Sequence, residues 1–229
     1  MRVGGLVKLS TLDYPGRVSA VVFSQSCNFR CPYCHNPGLV RPFGELLDEA
    51  GVVAFLKSRA SLLDGVVISG GEPTILEDLA SFIKMVKELG FRVKLDTNGS
   101  RPGVLASLLE KSLVDYVAMD LKSDPQNYPE ALAPASESGG VEESIAVLKK
   151  SGLPHEFRTT AALPFVDDSA ILAISKAARG KAPLYLQKLN LKKPVFNPAF
   201  MARHPVQPND ADLQRFRDLA ARFLPCHIR

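Results

Sequence analysis

Cys27, Cys31 and Cys34 are spaced C-x3-C-x2-C, and the 229-residue chain has only one other cysteine, Cys226. Such spacing lets one loop fold around a compact inorganic core, with each thiolate reaching a different iron of an iron–sulfur cluster. A four-iron cluster held by only three local thiolates keeps one iron open to a substrate or cofactor, which would make the site chemical rather than structural. Zinc is the competing reading, because His35 follows Cys34 and completes a Cys3His set. Structural zinc sites usually divide their ligands into two spaced pairs, and no second pair follows here. A disulfide would leave one clustered thiol over. Cys226, alone near the C-terminal end, is expected to stay outside the cluster.

Other polar residues sit at the ends of apolar runs. Gly70-Gly71-Glu72-Pro73 has two residues without side chains, so its backbone can approach a ligand closely, and Glu72 offers a carboxylate. Asp96, Thr97 and Asp120 supply two carboxylates and a hydroxyl, a set that suits a hard cation. Structural readings compete at each position. Gly-Gly is also a common turn. A strand-end Asp often caps the backbone. Asp120 and Lys122 can form a rim ion pair, and Arg158 can pair with a surface acid.

These residues need elements to hold them. Apolar, β-branched runs predict strands at residues 18–24, 65–69, 92–96, 116–120, 156–162 and 184–189. Helical periodicity predicts helices at 45–59, 77–89, 102–111, 141–151, 169–178 and 210–224, the first with Leu46, Val53 and Leu56 on one side. Residues 123–139 read as a loop and 191–208 as an irregular Pro-rich segment. Strand and helix alternate six times, which argues an α/β fold with a parallel sheet and right-handed crossovers. Six units are too few for a closed eight-stranded barrel, and an open doubly wound sheet is a rival. In either architecture ligands sit beyond the C-terminal ends of the strands. The cysteines, Glu72, Asp96, Thr97, Asp120 and Lys122 all fall there. A single domain over 1–229 is expected, with its core at about 18–189 and an irregular segment and helix at 190–229.

Composition agrees with one sizeable core: the chain is 46% hydrophobic, with mean hydropathy near zero. The net charge of +4 is mild and gives no sign of nucleic-acid binding. No apolar run reaches the roughly 18–20 residues that cross a membrane. Met1-Arg2-Val3-Gly4-Gly5 lacks the apolar region of a signal peptide, so a cytoplasmic location is expected.

The cysteine run, with Tyr33 before Cys34, resembles the signature of radical S-adenosylmethionine (SAM) enzymes. Asp13-Tyr14-Pro15-Gly16-Arg17, Val21-Val22-Phe23 and Cys34-His35-Asn36-Pro37 are similar to a narrower group, the glycyl-radical-enzyme activating enzymes, and especially the activating proteins of anaerobic ribonucleoside-triphosphate reductase. The resemblance implies a partial (β/α)6 barrel. It implies one [4Fe–4S] cluster on Cys27, Cys31 and Cys34, with SAM bound at its open iron. Gly70, Gly71 and Glu72 then form the site for the SAM amino group. Tyr33 lies by the adenine and Asn36 by the ribose or the cluster edge. Arg158 contacts the ribose or carboxylate. Asp96, Thr97, Asp120 and the Ala118 carbonyl hold a monovalent cation beside the SAM carboxylate, and Lys122 faces SAM or the substrate backbone. His35, one residue past Cys34, reads as a support of the loop, with a direct chemical role as the competing reading. Where the group often has an adenine-side histidine, this chain has Gln187.

The implied reaction is reductive cleavage of SAM to a 5′-deoxyadenosyl radical, which takes hydrogen from a glycine of a glycyl-radical enzyme. A one-electron donor such as flavodoxin or ferredoxin would supply the electron. Two other readings remain: a radical SAM enzyme acting on a small metabolite, and a zinc-bound module without catalysis.

Overall fold

The computed structural model describes residues 1–41 and 45–229. The predicted apolar runs are strands: β2 (Ser19–Ser24), β3 (Gly65–Gly70), β4 (Arg92–Thr97), β5 (Tyr116–Asp120), β6 (His155–Ala161) and β7 (Leu184–Lys188). Two further strands flank them, β1 (Val3–Ser10) and β8 (Cys226–Ile228). The sequence reading missed both. Gly4 and Gly5 mask the alternation in β1, and β8 is only three residues long.

All eight strands form one sheet in chain order, β1 to β8. β1 runs antiparallel to β2, and every later pair is parallel. A doubly wound sheet would reverse its strand order at a switch point. This order never reverses, so the sheet curls one way into a partial barrel. Among the described residues β1 and β8 do not pair, and the barrel stays open between them.

Helices return the chain between strands: α1 (Pro37–Val40), α2 (Glu49–Ser58), α3 (Leu79–Glu88), α4 (Pro102–Glu110), α5 (Ala135–Ser138), α6 (Val141–Ser151), α7 (Asp168–Ala177), α8 (Pro198–Ala202) and α9 (Asp210–Ala220). Local chemistry sets their ends. Asp48 caps α2 by accepting from the Gly51 amide, so Leu46 lies before the helix and is exposed rather than on its apolar side. Gly152, at φ +68°, ends α6 in the left-handed conformation. Asn209 and Asp212 form a reciprocal capping box that starts α9. That helix stops at Ala220, four residues before its predicted end, because the chain turns to enter β8.

Strand alternation sorts the side chains into two faces. Val66, Ile68, Val93, Leu95, Val117 and Met119 are fully buried against the helices, beside Leu56, Ile83 and Leu148. The alternate positions face the inside of the curl. Tyr14, Val21 and Val67 pack together at the lower part of that face, with Phe23 and Tyr116 against them. Higher up, towards the C-terminal ends of the strands, the same face carries Ser69, Asp96, Asp120, Arg158, Thr160 and Gln187, all bordering one cavity.

Candidate active site

The cavity, of about 290 Å³, lies at the C-terminal rim of the sheet. Cys27, Cys31 and Cys34 line it together with Gly70, Gly71 and Glu72. β2 delivers the chain to Ser24, and Ser26 then turns it with a left-handed φ of +86°. The turn is held from both sides: the Ser26 amide donates to the Leu39 carbonyl at 2.8 Å, and the Glu72 amide to the Ser26 carbonyl at 2.8 Å. A side chain on Gly71 would place its Cβ 2.0 Å from the Ser26 oxygen. On Gly70, at φ +115°, it would lie 2.4 Å from the Ser24 backbone. These glycines therefore admit the cysteine loop, which is a different reason from the close ligand approach expected of them.

A polar network then anchors the loop. The Asn28 amide donates to Ser100 Oγ at 2.9 Å and to Glu137 Oε2 at 2.6 Å, and its carbonyl accepts from Asn98 at 3.0 Å. Arg101 completes the network through Glu137, at 2.6 Å. The Arg30 amide donates to the Leu132 carbonyl, and the Phe29 ring packs on Tyr128 at 5.7 Å. From the other side, the Phe196 amide reaches the Cys34 carbonyl and the Asn197 amide the Pro32 carbonyl, each at 2.9 Å. His35 Nδ1 lies 3.3 Å from the Pro194 carbonyl, which agrees with the supporting role expected of it and turns the ring to a partner outside the cysteine set.

Glu72 is fully buried. One carboxylate oxygen accepts from the Thr74 amide and hydroxyl and from the Thr97 hydroxyl, the last at 2.7 Å; the other accepts from the Asn98 amide at 2.6 Å. Burial raises the pKa of its carboxyl, and the four donors oppose that rise. Thr97 is thereby committed to Glu72, while its oxygen also accepts from the Gly99 amide.

Asp96 and Asp120 are bridged by Arg158, whose Nε lies 2.7 Å from Asp120 and whose Nη1 lies 3.1 Å from Asp96. Lys94 pairs with Asp96 from below, and Lys122 reaches Asp120 at 3.4 Å. Ser69 also donates to Asp96. Sheet register builds this ladder, since Asp96 lies opposite Ala118, and Asp120 opposite Arg158. Burial pushes the Asp120 carboxyl up, but Arg158 and then Lys122 outweigh it and hold its pKa below the ordinary aspartate range. Burial likewise opposes charge on Lys122, while Asp120 and the surrounding thiol and phenol groups hold its pKa well above the usual range.

At the expected cation site the structure places a side-chain cation between the two carboxylates. The positive charge between Asp96 and Asp120 is the Arg158 guanidinium. The Thr97 hydroxyl is spent on Glu72, and Ala118 sits within the central strand β5. Tyr33 borders the cavity while its ring packs against Phe165 at 5.8 Å, and its hydroxyl is buried without a hydrogen-bond partner among the described residues. Asn36 precedes α1 and borders the cavity, as does Gln187, which pairs with Thr160 across β6 and β7. Cys226 lies opposite Leu184, at the start of β7, so it belongs to the other end of the sheet, as expected. Asn28, Ser100, Arg101, Glu137, Lys94 and Thr74 were not singled out from sequence. Of these, Asn28 lies inside the cysteine run and Thr74 directly follows Gly70-Gly71-Glu72-Pro73.

The donor set suits a thiolate-held cluster. All three cysteines are free and border one cavity. Among the described residues no three His, Cys, Asp or Glu side chains close on a point fit for a single metal ion. The Phe29 amide points at Cys27 Sγ from 3.4 Å. Burial, and then the nearby Glu72 charge, push the Cys27 thiol up; burial pushes Cys31 up to about 11. Iron binding would therefore release protons from both.

Comparison with known proteins follows the same line. Residues 21–177 match the model of the radical SAM superfamily. A Methanocaldococcus jannaschii protein, named among the glycyl-radical enzyme activating enzymes, is 33% identical over 230 residues, covering 97% of this chain and 92% of its own. The pyruvate formate-lyase-activating enzyme of Clostridium pasteurianum is 33% identical over 127 residues, 53% of this chain and 52% of its own length. In fold, the chain is similar to a radical SAM methyltransferase from Sphaerobacter thermophilus, with a TM-score of 0.70 at 19% identity over 96% of this chain and 68% of that one. This family implies one [4Fe–4S] cluster and SAM as cofactors. The chain belongs to the radical SAM superfamily and, within it, to the glycyl-radical enzyme activating enzymes.

Proposed function

We propose that this protein installs a glycyl radical on a partner enzyme, and that the partner is anaerobic ribonucleoside-triphosphate reductase. The observation that carries the reading is the meeting of three cysteines, Glu72 and the Asp96–Arg158–Asp120–Lys122 ladder around one rim cavity. Relatives named for activating glycyl-radical enzymes support it, and the specific partner rests on the similarity of residues 13–37 to the reductase activators.

Cys27, Cys31 and Cys34 would hold the cluster, and cluster and SAM together would supply one-electron cleavage of a carbon–sulfur bond and a deoxyadenosyl radical. The chain's own groups do the positioning. Glu72 Oε2 accepts from the Asn98 amide and would take the SAM amino group as its second donor. From the ladder, Arg158 would contact the SAM ribose or carboxylate, and Lys122 would face SAM or the substrate backbone. Gln187 lies on the adenine side. The opening between β1 and β8 leaves space for an extended loop of a partner protein, so a glycine Cα can be held beside the reacting carbon.

The test is anaerobic reconstitution of the wild type and of Cys27→Ala, Cys31→Ala, Cys34→Ala and Cys226→Ala. Iron content, visible absorbance and dithionite-driven release of 5′-deoxyadenosine from SAM are the readouts. The first three variants lose the cluster and SAM cleavage, and Cys226→Ala keeps both. Cluster loss in Cys226→Ala as complete as in Cys31→Ala would refute the three-thiolate site.

A further inference from the structure

The positive charge of this chain is not evenly spread. Residues 25–41 and 189–209 contain Arg30, Arg41, Lys192, Lys193 and Arg203 and no Asp or Glu; elsewhere 23 of the 28 basic residues face all 24 acidic ones. The whole net charge of +4 therefore comes from these two segments.

They form one face. Residues 190–208 lie as a strap across the cysteine loop, tied to it by the Phe196 and Asn197 amides and by His35 against Pro194. All five basic side chains are exposed and none has an ion-pair partner among the described residues; Arg41, Lys192, Lys193 and Arg203 belong to the strap side, whereas Arg30 follows the loop towards Leu132. By contrast, the neighbouring Lys188 is paired with Asp210. Two of the guanidinium heads are seated on rings: Arg41 lies 5.3 Å from the Phe196 centroid and Arg203 5.5 Å from Phe200. Seating of this kind restricts the side chains and lowers the entropy lost when a partner docks. Phe200 stacks on Phe165 at 5.6 Å, and Phe165 touches Tyr33, the residue before Cys34. The basic surface is thus the outer skin of the loop that carries the cysteines.

We infer that this face, formed by the strap and the cysteine loop, is the docking surface for a small acidic one-electron carrier protein. The inference rests on the proposed function, which needs one electron per SAM cleaved. The carrier, as reductant, gives up one electron and is oxidised by one; the cluster gains that electron and is reduced by one. Charge complementarity steers the encounter and fixes its register. Nucleic acid fits less well, because the charges are few and the two rings lie beneath guanidinium groups rather than open for base stacking.

The experiment uses the reconstituted holoprotein under anaerobic conditions, immobilised, with an acidic flavodoxin and an acidic ferredoxin as probes. At least one carrier binds, and its affinity falls about tenfold or more between about 0.05 M and about 0.3 M salt. The triple variant Lys192→Glu, Lys193→Glu, Arg203→Glu binds it at least about tenfold more weakly. Its iron content, circular dichroism and dithionite-driven SAM cleavage match the wild type. The milder pair Lys192→Gln, Lys193→Gln gives an intermediate loss. Binding of neither carrier, or unchanged affinity in the triple variant, overturns the inference. So does tighter, triple-sensitive binding of a single-stranded RNA or an anionic phospholipid vesicle. Carrier docking in a wild type that fails to cleave SAM with dithionite would instead overturn the proposed function and leave the docking face standing.

Discussion

Gly71 decides how near β3 can come to the loop that carries the cysteines. Its missing Cβ would sit 2.0 Å from the Ser26 oxygen, and that atom is backbone. Gly71→Ala must therefore push Ser26, and Cys27 with it, away from the cavity. The expected cost is roughly 3 kcal/mol in urea unfolding, at the upper end for overpacking, with loss of most reconstituted iron. The ladder gives a prediction in pH. The folded pKa of Asp120 is lowered, so its stabilisation is complete above the ordinary aspartate value and is lost as pH falls through the depressed folded value. Asp120→Asn should be less stable than wild type by roughly 2 kcal/mol at neutral pH, somewhat under the cost of breaking a fully buried pair, because Asp120 is partly exposed. The gap should narrow steadily below about pH 4. A constant difference across that range would detach Asp120 from Arg158. At this scale the cysteines, Glu72 and the strand-end acids were legible, because residue type and spacing declare them. Their partners were not. Nothing in the sequence says that Thr97 turns to Glu72, or that Arg158, sixty-two positions beyond Asp96, closes the gap between two carboxylates.

The strap is the element whose role the sequence reading could not see. Proline-rich and without periodicity, residues 191–208 read as irregular, and most of them are. What they do depends on two amides, Phe196 and Asn197, that meet carbonyls of the cysteine loop more than 160 positions earlier. Asn197→Pro removes one of these donors and also conflicts with the local φ of −131°. Loss of one such bond is worth about 1 kcal/mol, so iron release to a chelator should quicken about fivefold. Asn197→Ala keeps the amide and loses only the cap on α8, and its release rate should stay near wild type. Equal effects of the two substitutions would mean that the strap does not hold the loop through its backbone. The six βα units were legible because apolar β-branched runs, helical periodicity and glycine stops all agree along them. β1 and β8 were hidden, the first by its glycines and partial exposure, the second by its length.

At the scale of the whole molecule, consecutive strand order bends the sheet into a partial barrel, and alternation along six strands gathers charged groups on its inner face. Three thiols meet those groups at the C-terminal rim. The resulting cavity is walled by β3 to β7 and by the cysteine loop, and among the described residues the sheet does not close between β1 and β8. Such an arrangement favours a protein loop as the substrate over a small molecule sealed from solvent. The most direct measurement mixes the reconstituted, reduced protein with SAM and an anaerobic ribonucleoside-triphosphate reductase from the same host, and records the electron paramagnetic resonance spectrum. The account predicts a glycyl-radical doublet on the reductase that depends on SAM and on all three cysteines and disappears when the reductase glycine is replaced by alanine. SAM cleavage without a radical on that or any other glycyl-radical enzyme of the host, together with turnover of a small metabolite, would contradict it.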